Sequence, residues 1–228
     1  MPHIVRSAFD ADAFGVPFYR VQTIDPASIG QELQAIRQSG PAVIVDAKVA
    51  ADDLEGARVL WSLGFRKVCM QIVLRPDLGG ADERAPGAAV VPRLDLPESA
   101  LEQHAGNFTF DRFSLDPLLP REGIRRLYVN WIRNSLGGRK QVVHSGMNFC
   151  TLAVKDGTAA IDLVSVLNHG QGIGRALVAG ALRYAREQGA NELLVTTECE
   201  NTRAWNLYQR AGFVPAKFTS AFHLVQQG

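Results

Sequence analysis

The stretch His169 to Leu177 (HGQGIGRAL) carries the densest potential for chemistry in the chain. It follows an apolar run, Ala160 to Leu167 (AIDLVSVL), and opens a helical pattern that continues to about Gln188. A strand, a glycine-dense turn and a helix N-terminus in that order make a socket for a phosphorylated ligand. The first helical turn has N–H groups with no intrahelical partner, and the aligned peptide dipoles favour negative charge there. Each such interaction contributes about 0.3–1 kcal/mol at an exposed site. Gly170, Gly172 and Gly174 let the backbone approach a pyrophosphate with no Cβ in the way, although a plain strand-to-helix turn would use the same glycines. Two other phosphate loops do not fit. A Walker loop needs Gly-Lys-Ser/Thr, which does not occur, and the dinucleotide fingerprint needs a third glycine where Arg175 stands.

A second pattern follows the helix. Asn191 to Thr197 (NELLVTT) reads as a strand rich in Leu, Val and Thr, and Glu198 to Val214 (ECENTRAWNLYQRAGFV) as a short helix closed by Gly-Phe. Read from His169 to Gly174, the loop resembles Q/R-x-x-G-x-G/A, the acyl-CoA pyrophosphate loop of the GNAT superfamily of N-acetyltransferases. His169 stands where that pattern has Gln or Arg, which weakens a role for its side chain more than it weakens the backbone cradle. The tail resembles the closing segment of the same superfamily, N-x-x-A-x-x-L-Y-x-x-x-G-F, at Asn201, Ala204, Leu207, Tyr208, Gly212 and Phe213. Two motifs in the right order are far more specific than either alone.

The resemblance implies an α/β fold with a mixed, mostly antiparallel sheet and splayed central strands. It also implies acetyl-CoA as acetyl donor, an amine as acceptor, and no metal. The strand from Ala160 to Val166 would part from its neighbour, and a pantetheine arm would pair with the freed backbone like an extra strand. Leu163, Val164 and Val166 would lie along that arm, while alternate residues there also read as core. His169, Gly170, Gln171, Gly172, Ile173, Gly174 and Arg175 would surround the pyrophosphate. A main-chain N–H at a bulge in that strand would face the developing oxyanion. Tyr208 takes the general-acid position; a tyrosine with a pKa of about 10 is protonated at neutral pH. Asn201 would bond the pantetheine, and a helix N-cap is an equally plain reading. Glu198, Glu200 and Asp162 are the candidates for a general base. Cys199 has no activating neighbour in the sequence and reads as a small thiol.

Composition agrees and excludes several classes. The chain of 228 residues, 46% hydrophobic and 21% charged, is ordinary globular material longer than one typical domain. A net charge of +1, without Lys/Arg clusters, argues against nucleic-acid or anionic-membrane partners. No apolar run reaches the ~20 residues that span a bilayer. The opening MPHIVRSAFDADAF lacks the apolar core of a signal peptide. Cys69, Cys150 and Cys199 suit reduced thiols and a cytoplasmic location. His3, His104, His144, His169 and His223 show no metal-ligand spacing.

The acetyltransferase resemblance covers about Pro92 to Val225, and the sequence divides into a smaller N-terminal α/β module, 1–88, and an acetyltransferase domain, 89–228. The stretch Arg75 to Ala89, dense in Gly, Pro and charge, marks the boundary. Before it, Gly15–Ile24 reads as a strand, Ile29–Gly40 as a helix, Pro41–Val49 as a buried strand, Asp52–Gly64 as a helix and Phe65–Leu74 as a strand. Ala57–Leu74 echoes Ala204–Val225, with Gly64 matching Gly212 and Leu60 in the place of Tyr208. Helix–Gly–Phe–strand is also a common join. If the echo is genuine, the module is a partial copy without a ligand loop, shaping the acceptor site.

A narrower resemblance joins the two parts. FDADAFGVPFYRV near the start is similar to the E/D-x-x-F-F-G-V opening of bacterial TDP-fucosamine acetyltransferases, and Phe110 to Leu136 holds a similar R-F followed by Y-x-x-W-I. Those enzymes acetylate the 4-amino group of a dTDP-linked 4-amino-4,6-dideoxyhexose for cell-surface polysaccharide such as lipopolysaccharide. The resemblance implies a nucleotide-linked amino sugar as acceptor. Among Arg112, Arg121, Arg125, Arg126 and Arg133, one or two would meet its phosphates, Arg112 first. Tyr128, Asn130 and Trp131 would support its base or sugar. Leu127, Trp131 and Ile132 equally form a core stripe at helical spacing. Two alternatives stand beside this reading: acetylation of another small amine or a protein N-terminus, and a non-catalytic acetyl-CoA sensor. A homodimer is an open arrangement.

Overall fold

The computed structural model describes residues 2–76 and 88–227. Most of the proposed module boundary, residues 77–87, lies outside the described residues. The chain forms two compact units, each assembled from separate stretches of sequence. The first comprises Met1–Gln71, Phe110–Leu127 and Phe218–Gly228; the second comprises Ile72–Thr109 and Tyr128–Lys217.

The first unit contains β1 (Ile4–Arg6), α1 (Ala8–Phe14), β2 (Phe18–Val21), α2 (Ile29–Gln38), β3 (Val43–Ala50) and α3 (Leu54–Ser62). It also holds the start of β4 (Arg66–Pro76) and the C-terminal part of β10 (Phe213–Gln226). Its strand order is β1-β2-β3-β10-β4. β2 runs parallel to β3, and β10 is antiparallel to β3. Ile29 and Leu33, one turn apart on α2, face a core of Val43, Val45, Leu60, Phe65, Phe222 and Leu224. Side chains of this size contribute about 1.5–3 kcal/mol each when fully buried. The helices and strands read from the sequence are present, but β1 and α1 have no counterpart in that reading. α1 ends where Gly15 turns left-handed, at φ 70°, so the strand expected over Gly15–Ile24 contracts to Phe18–Val21.

The second unit contains β5 (Ala89–Val91), α4 (Glu98–Ala105), the latter half of α5 (Arg121–Asn134) and a π-helical turn (Ser135–Arg139). It continues through β6 (Gln141–Ser145), β7 (Asn148–Lys155), β8 (Thr158–Ser165), α6 (Ile173–Glu187), β9 (Glu192–Glu198) and α7 (Thr202–Arg210). Its strand order is β10-β4-β9-β8-β7-β6-β5. β5 to β8 pair antiparallel, and β8 runs parallel to β9. This is the mixed, mostly antiparallel sheet that the motifs imply. Leu177, Val178, Ala181, Leu182 and Ala185 form the apolar face of α6 and pack with Val143, Cys150, Leu152, Ile161, Leu193 and Val195. Among the described residues no helix is long and apolar enough to cross a membrane.

Candidate active site

The glycine loop joins β8 to α6. Gly170 has φ +84° and Gly172 φ +75°, a left-handed backbone that L side chains rarely adopt. A Cβ at either would meet nothing within 4 Å, so the space beside the loop is open, and His169–Gly172 are exposed. Gly172 is the N-cap of α6 and has no side chain to cap it. The first helical bond runs from the Ala176 N–H to the Gly172 carbonyl, 3.0 Å. The earlier N–H groups of the turn have no intrahelical partner, as an anion site requires. Gly174 has a different reason: a Cβ there would stand 3.3 Å from Leu207 of α7. These features fit the pyrophosphate of an acyl-CoA.

β8 changes neighbours along its length. Its parallel pairing with β9 covers Thr158↔Glu192 to Ile161↔Val195, although β8 runs on to Ser165 and β9 to Glu198. On the other side the ladder to β7 continues to Phe149↔Ser165, with a shift that leaves Asp162 as the bulged residue between Ile161 and Leu163. The Leu163 N–H turns toward β7 and donates to Thr151 Oγ1, 3.2 Å. Backbone groups alternate edges along a strand, so those of Val164 turn to the side that β9 has left. A strand-like arm of a ligand can pair there. Leu163 is buried, while Val164 and Val166 are half-buried and pack against the core beneath α6.

α7 brings Tyr208 to the same core. Asn201 caps the helix, its Oδ1 accepting from the Ala204 N–H at 3.1 Å; the capping reading of Asn201 is therefore present in the structure. Tyr208 is the buried residue of this helix, 4% exposed, and its ring lies 5.6 Å from that of Phe213. Burial, with the nearby Cys150 and Glu198 groups, pushes its pKa well above the usual tyrosine value, so the phenol keeps its proton. Burial likewise pushes the Cys150 thiol up. Of the candidate bases, Glu198 is buried at the end of β9 and Glu200 is exposed. Asp162 Oδ2 accepts from Trp131 Nε1 at 2.9 Å and from Ser135 Oγ at 3.5 Å, with Lys140 Nζ at 3.9 Å.

The acceptor residues named from sequence fall into different settings. Tyr128 and Trp131 stack at 5.8 Å, and Phe108 stacks on Tyr128 at 4.4 Å with the planes 2° apart. Asn130 Oδ1 accepts from Arg133, which also donates to Glu98. Arg112 belongs to the first unit and is buried. Its Nε donates to Asp46 Oδ2 at 3.2 Å, and its guanidinium lies 4.1 Å over the Phe113 ring. Arg121 donates to the Ser114 carbonyl, Arg125 pairs with Glu122, and Arg126 donates to the Ala13 carbonyl.

Sequence reasoning passed over two groups. Arg203, in the first turn of α7, donates to His169 Nε2 at 3.0 Å and so sets a guanidinium beside the glycine loop. Its signal was available two residues beyond Asn201 in the closing motif. His104, set aside for want of metal-ligand spacing, and Asn107, not named from the sequence, converge on Ser165 at the end of β8. No local pattern in the sequence reports that contact, which joins residues far apart in the chain. Among the described residues no group of three or more His, Cys, Asp or Glu is placed to hold a metal ion.

Residues 149–213, from the start of β7 to the start of β10, match the acetyltransferase (GNAT) family. The spore coat polysaccharide biosynthesis protein SpsD of Bacillus subtilis is 25% identical over 201 residues, covering 83% of this chain and 69% of that protein. A mycothiol acetyltransferase of Jonesia denitrificans is 32% identical over 190 residues, covering 76% of this chain and 60% of the relative. A GCN5-related N-acetyltransferase from Kribbella flavida shares the fold at TM-score 0.62 and 19% identity, over 97% of this chain and 86% of that one. A tandem GNAT protein of the clavulanic acid biosynthesis pathway does so at TM-score 0.59 and 14% identity, over 94% of this chain and 77% of that one.

Proposed function

We propose that this chain, which belongs to the GNAT acetyltransferase family, acetylates the amine of a nucleotide-linked amino sugar. Acetyl-CoA, when bound, supplies an acetyl group activated as a thioester. The chain's own residues bind, orient and protonate. The N–H groups opening α6, with Gly170 and Gly172, hold the pyrophosphate. The free edge of β8 at Val164 aligns the pantetheine, so that much of the rate comes from holding two reactants together. The bulge at Asp162 turns a main-chain N–H toward the developing oxyanion. Tyr208 keeps its proton throughout the working pH range and donates toward the departing sulfur. Because tyrosinate is costly in that apolar surrounding, the hydroxyl acts first as a hydrogen-bond donor.

The observation that carries the acetyl-transfer reading is the open, left-handed glycine pair at an uncapped helix N-terminus, beside a strand that has lost its neighbour. The acceptor reading draws on the polysaccharide role in the name of the Bacillus relative and on the half-buried rings of Phe108 and Trp131, which stack on buried Tyr128. Aromatic faces pack well on sugar and base. The mycothiol acetyltransferase relative favours a second reading, another small amine. Mass spectrometry of products from acetyl-CoA and a panel of dTDP- and UDP-linked amino sugars tests both. Acetylation of a sugar nucleotide, with free dTDP competing against it and not against acetyl-CoA, supports the first. Failure of dTDP to inhibit or to protect against thermal unfolding overturns it in favour of the small amine.

A further inference from the structure

The exit of β8 is held by side chains where sheet hydrogen bonds run out. Its pairing with β9 ends at Ile161 and that with β7 at Ser165. Beyond those points, His104 Nδ1 shares a 2.8 Å hydrogen bond with Ser165 Oγ. Asn107 Nδ2 donates to Ser165 Oγ at 3.3 Å and to the Val166 carbonyl at 3.2 Å. Asn148 Oδ1 accepts from the Leu167 N–H at 2.8 Å, and its Nδ2 donates to the Ser145 carbonyl at 3.0 Å. Three consecutive residues between the bulge and the glycine loop are thus fixed by polar side chains from α4, the turn after it, and β7.

His104 is the costly member. It is fully buried, and its ring lies 4.7 Å from that of Phe149. Burying an imidazole takes its ring nitrogens out of water, a cost that a leucine filling the same volume would not carry. Burial lowers its pKa, opposed by the Met147 carbonyl, so the ring stays neutral at physiological pH. What the imidazole supplies in return is position, since its hydrogen bond to Ser165 goes to the strand whose other edge is open.

We propose that His104, through Ser165 and together with Asn107, is a positioning residue that holds the free segment of β8 in the line the acyl donor must pair with. This rests on the acetyltransferase reading above. The frayed edge of a strand samples many conformations, and ordering it on binding would weaken affinity; the side-chain collar orders it beforehand.

The test measures acetyl-CoA affinity by calorimetry and thermal unfolding in the full chain for His104→Leu, His104→Asn and Ser165→Ala. His104→Leu and Ser165→Ala are expected to weaken acetyl-CoA binding about tenfold while their unfolding curves stay cooperative. His104→Asn, whose amide can donate or accept near the Nδ1 position, is expected to restore affinity to within about threefold of wild type. A rescue by Asn separates positioning from simple packing, which Leu would satisfy better. If His104→Leu does not fold, Ser165→Ala decides. Wild-type affinity in folded Ser165→Ala, or Asn binding no better than Leu, overturns the inference alone. Absence of acetyl-CoA binding by the wild type overturns the functional reading beneath it.

Discussion

Tyr208 and Leu60 stand at matching places in two runs of elements that follow the same order. In the first unit β2, α2, β3, α3 and β4 follow one another with β2 parallel to β3; in the second β8, α6, β9, α7 and β10 follow with β8 parallel to β9. α3 and α7 both have 9 residues. Asp53 caps the first by accepting from the Gly56 N–H, and Asn201 caps the second by accepting from the Ala204 N–H. Gly64 and Gly212, both left-handed, then lead into buried Phe65 and Phe213. The two runs that echo one another in the sequence share element order and capping, and the residue type at one position separates them: a hydroxyl-bearing ring in one, a methyl-branched side chain in the other.

Tyr208→Phe keeps the ring against Phe213 and removes only the donor. It is expected to lower kcat by ~10²–10⁴-fold with the acetyl-CoA dissociation constant within about twofold of wild type. Leu60→Ala is expected to lower stability by about 2–5 kcal/mol and to leave acetyl-CoA affinity unchanged in the folded fraction. Steady-state kinetics with urea unfolding separate the two. A Tyr208→Phe enzyme within threefold of wild type, a loss of under about 1 kcal/mol, would assign proton delivery elsewhere.

Gly172→Val tests the cradle. Space does not forbid the side chain, since a Cβ there meets nothing within 4 Å, but the left-handed backbone does, and so would a ligand on that face. Acetyl-CoA affinity is expected to fall at least tenfold, about 1.4 kcal/mol. Arg203→Ala, which removes the guanidinium beside His169, is expected to weaken binding less and to flatten its salt dependence. Calorimetry at two ionic strengths reads both.

The two caps are expected to differ in what they disturb. Asn201→Ala and Asp53→Ala should each destabilise by about 0.5–2 kcal/mol. Only the first loosens the helix that carries Tyr208, so kcat should fall for Asn201→Ala and not for Asp53→Ala. Equal kinetics in the two variants would show that α7 needs no cap to present the tyrosine.

Much of this arrangement was legible in the sequence because it is local. The glycines, the apolar run before them and the closing motif sit within single strand-to-helix or helix-to-strand joins, where backbone geometry follows residue type. Legibility failed where partners come from distant segments. Asp162 reads as a candidate base, yet it stands at a bulge and is gripped by Trp131, Ser135 and Lys140. Arg112 reads as a phosphate ligand by its neighbour Phe113, yet its Nε faces Asp46, a residue inside the strand pattern Val43–Ala50. A carboxylate within a largely apolar strand is the signal that a buried counter-ion exists, but it does not say which one. The short helix α1 was missed because two aspartates interrupt its apolar face.

The buried charges of the first unit set the last prediction. His223 stands opposite Asp46 across β10 and β3, its Nδ1 donates to Asp116 Oδ2 at 2.9 Å, and Arg66 donates to Asp116 Oδ1 at 2.8 Å. Burial alone would lower the His223 pKa, but Asp116 and Asp46 outweigh it and the net direction is up. Burial would raise both carboxylates, yet their cationic partners win; Asp46 is held far below the carboxylate range and Asp116 falls to about 2. A raised histidine contributes stability that is full below its unfolded pKa of about 6.5 and is lost as pH rises through the folded value. The depressed aspartates contribute above about 3.9 and lose it as pH falls. Stability of this unit is therefore expected to peak between about pH 4 and 6.5 and decline on both sides. In His223→Gln the alkaline decline should disappear, so that wild type and variant converge as pH rises. Arg112→Ala should cost about 3–5 kcal/mol near neutral pH by taking the guanidinium from buried Asp46 and leaving His223 as its remaining partner, and its activity is to be compared only at temperatures where it remains folded. Urea midpoints from pH 3 to 9 for the three proteins give the answer: a wild-type to His223→Gln difference that is constant with pH would mean that the imidazole has the same pKa folded and unfolded, and wild-type stability that rises relative to the variant up to about pH 6.5 would mean that it is uncharged in the folded state.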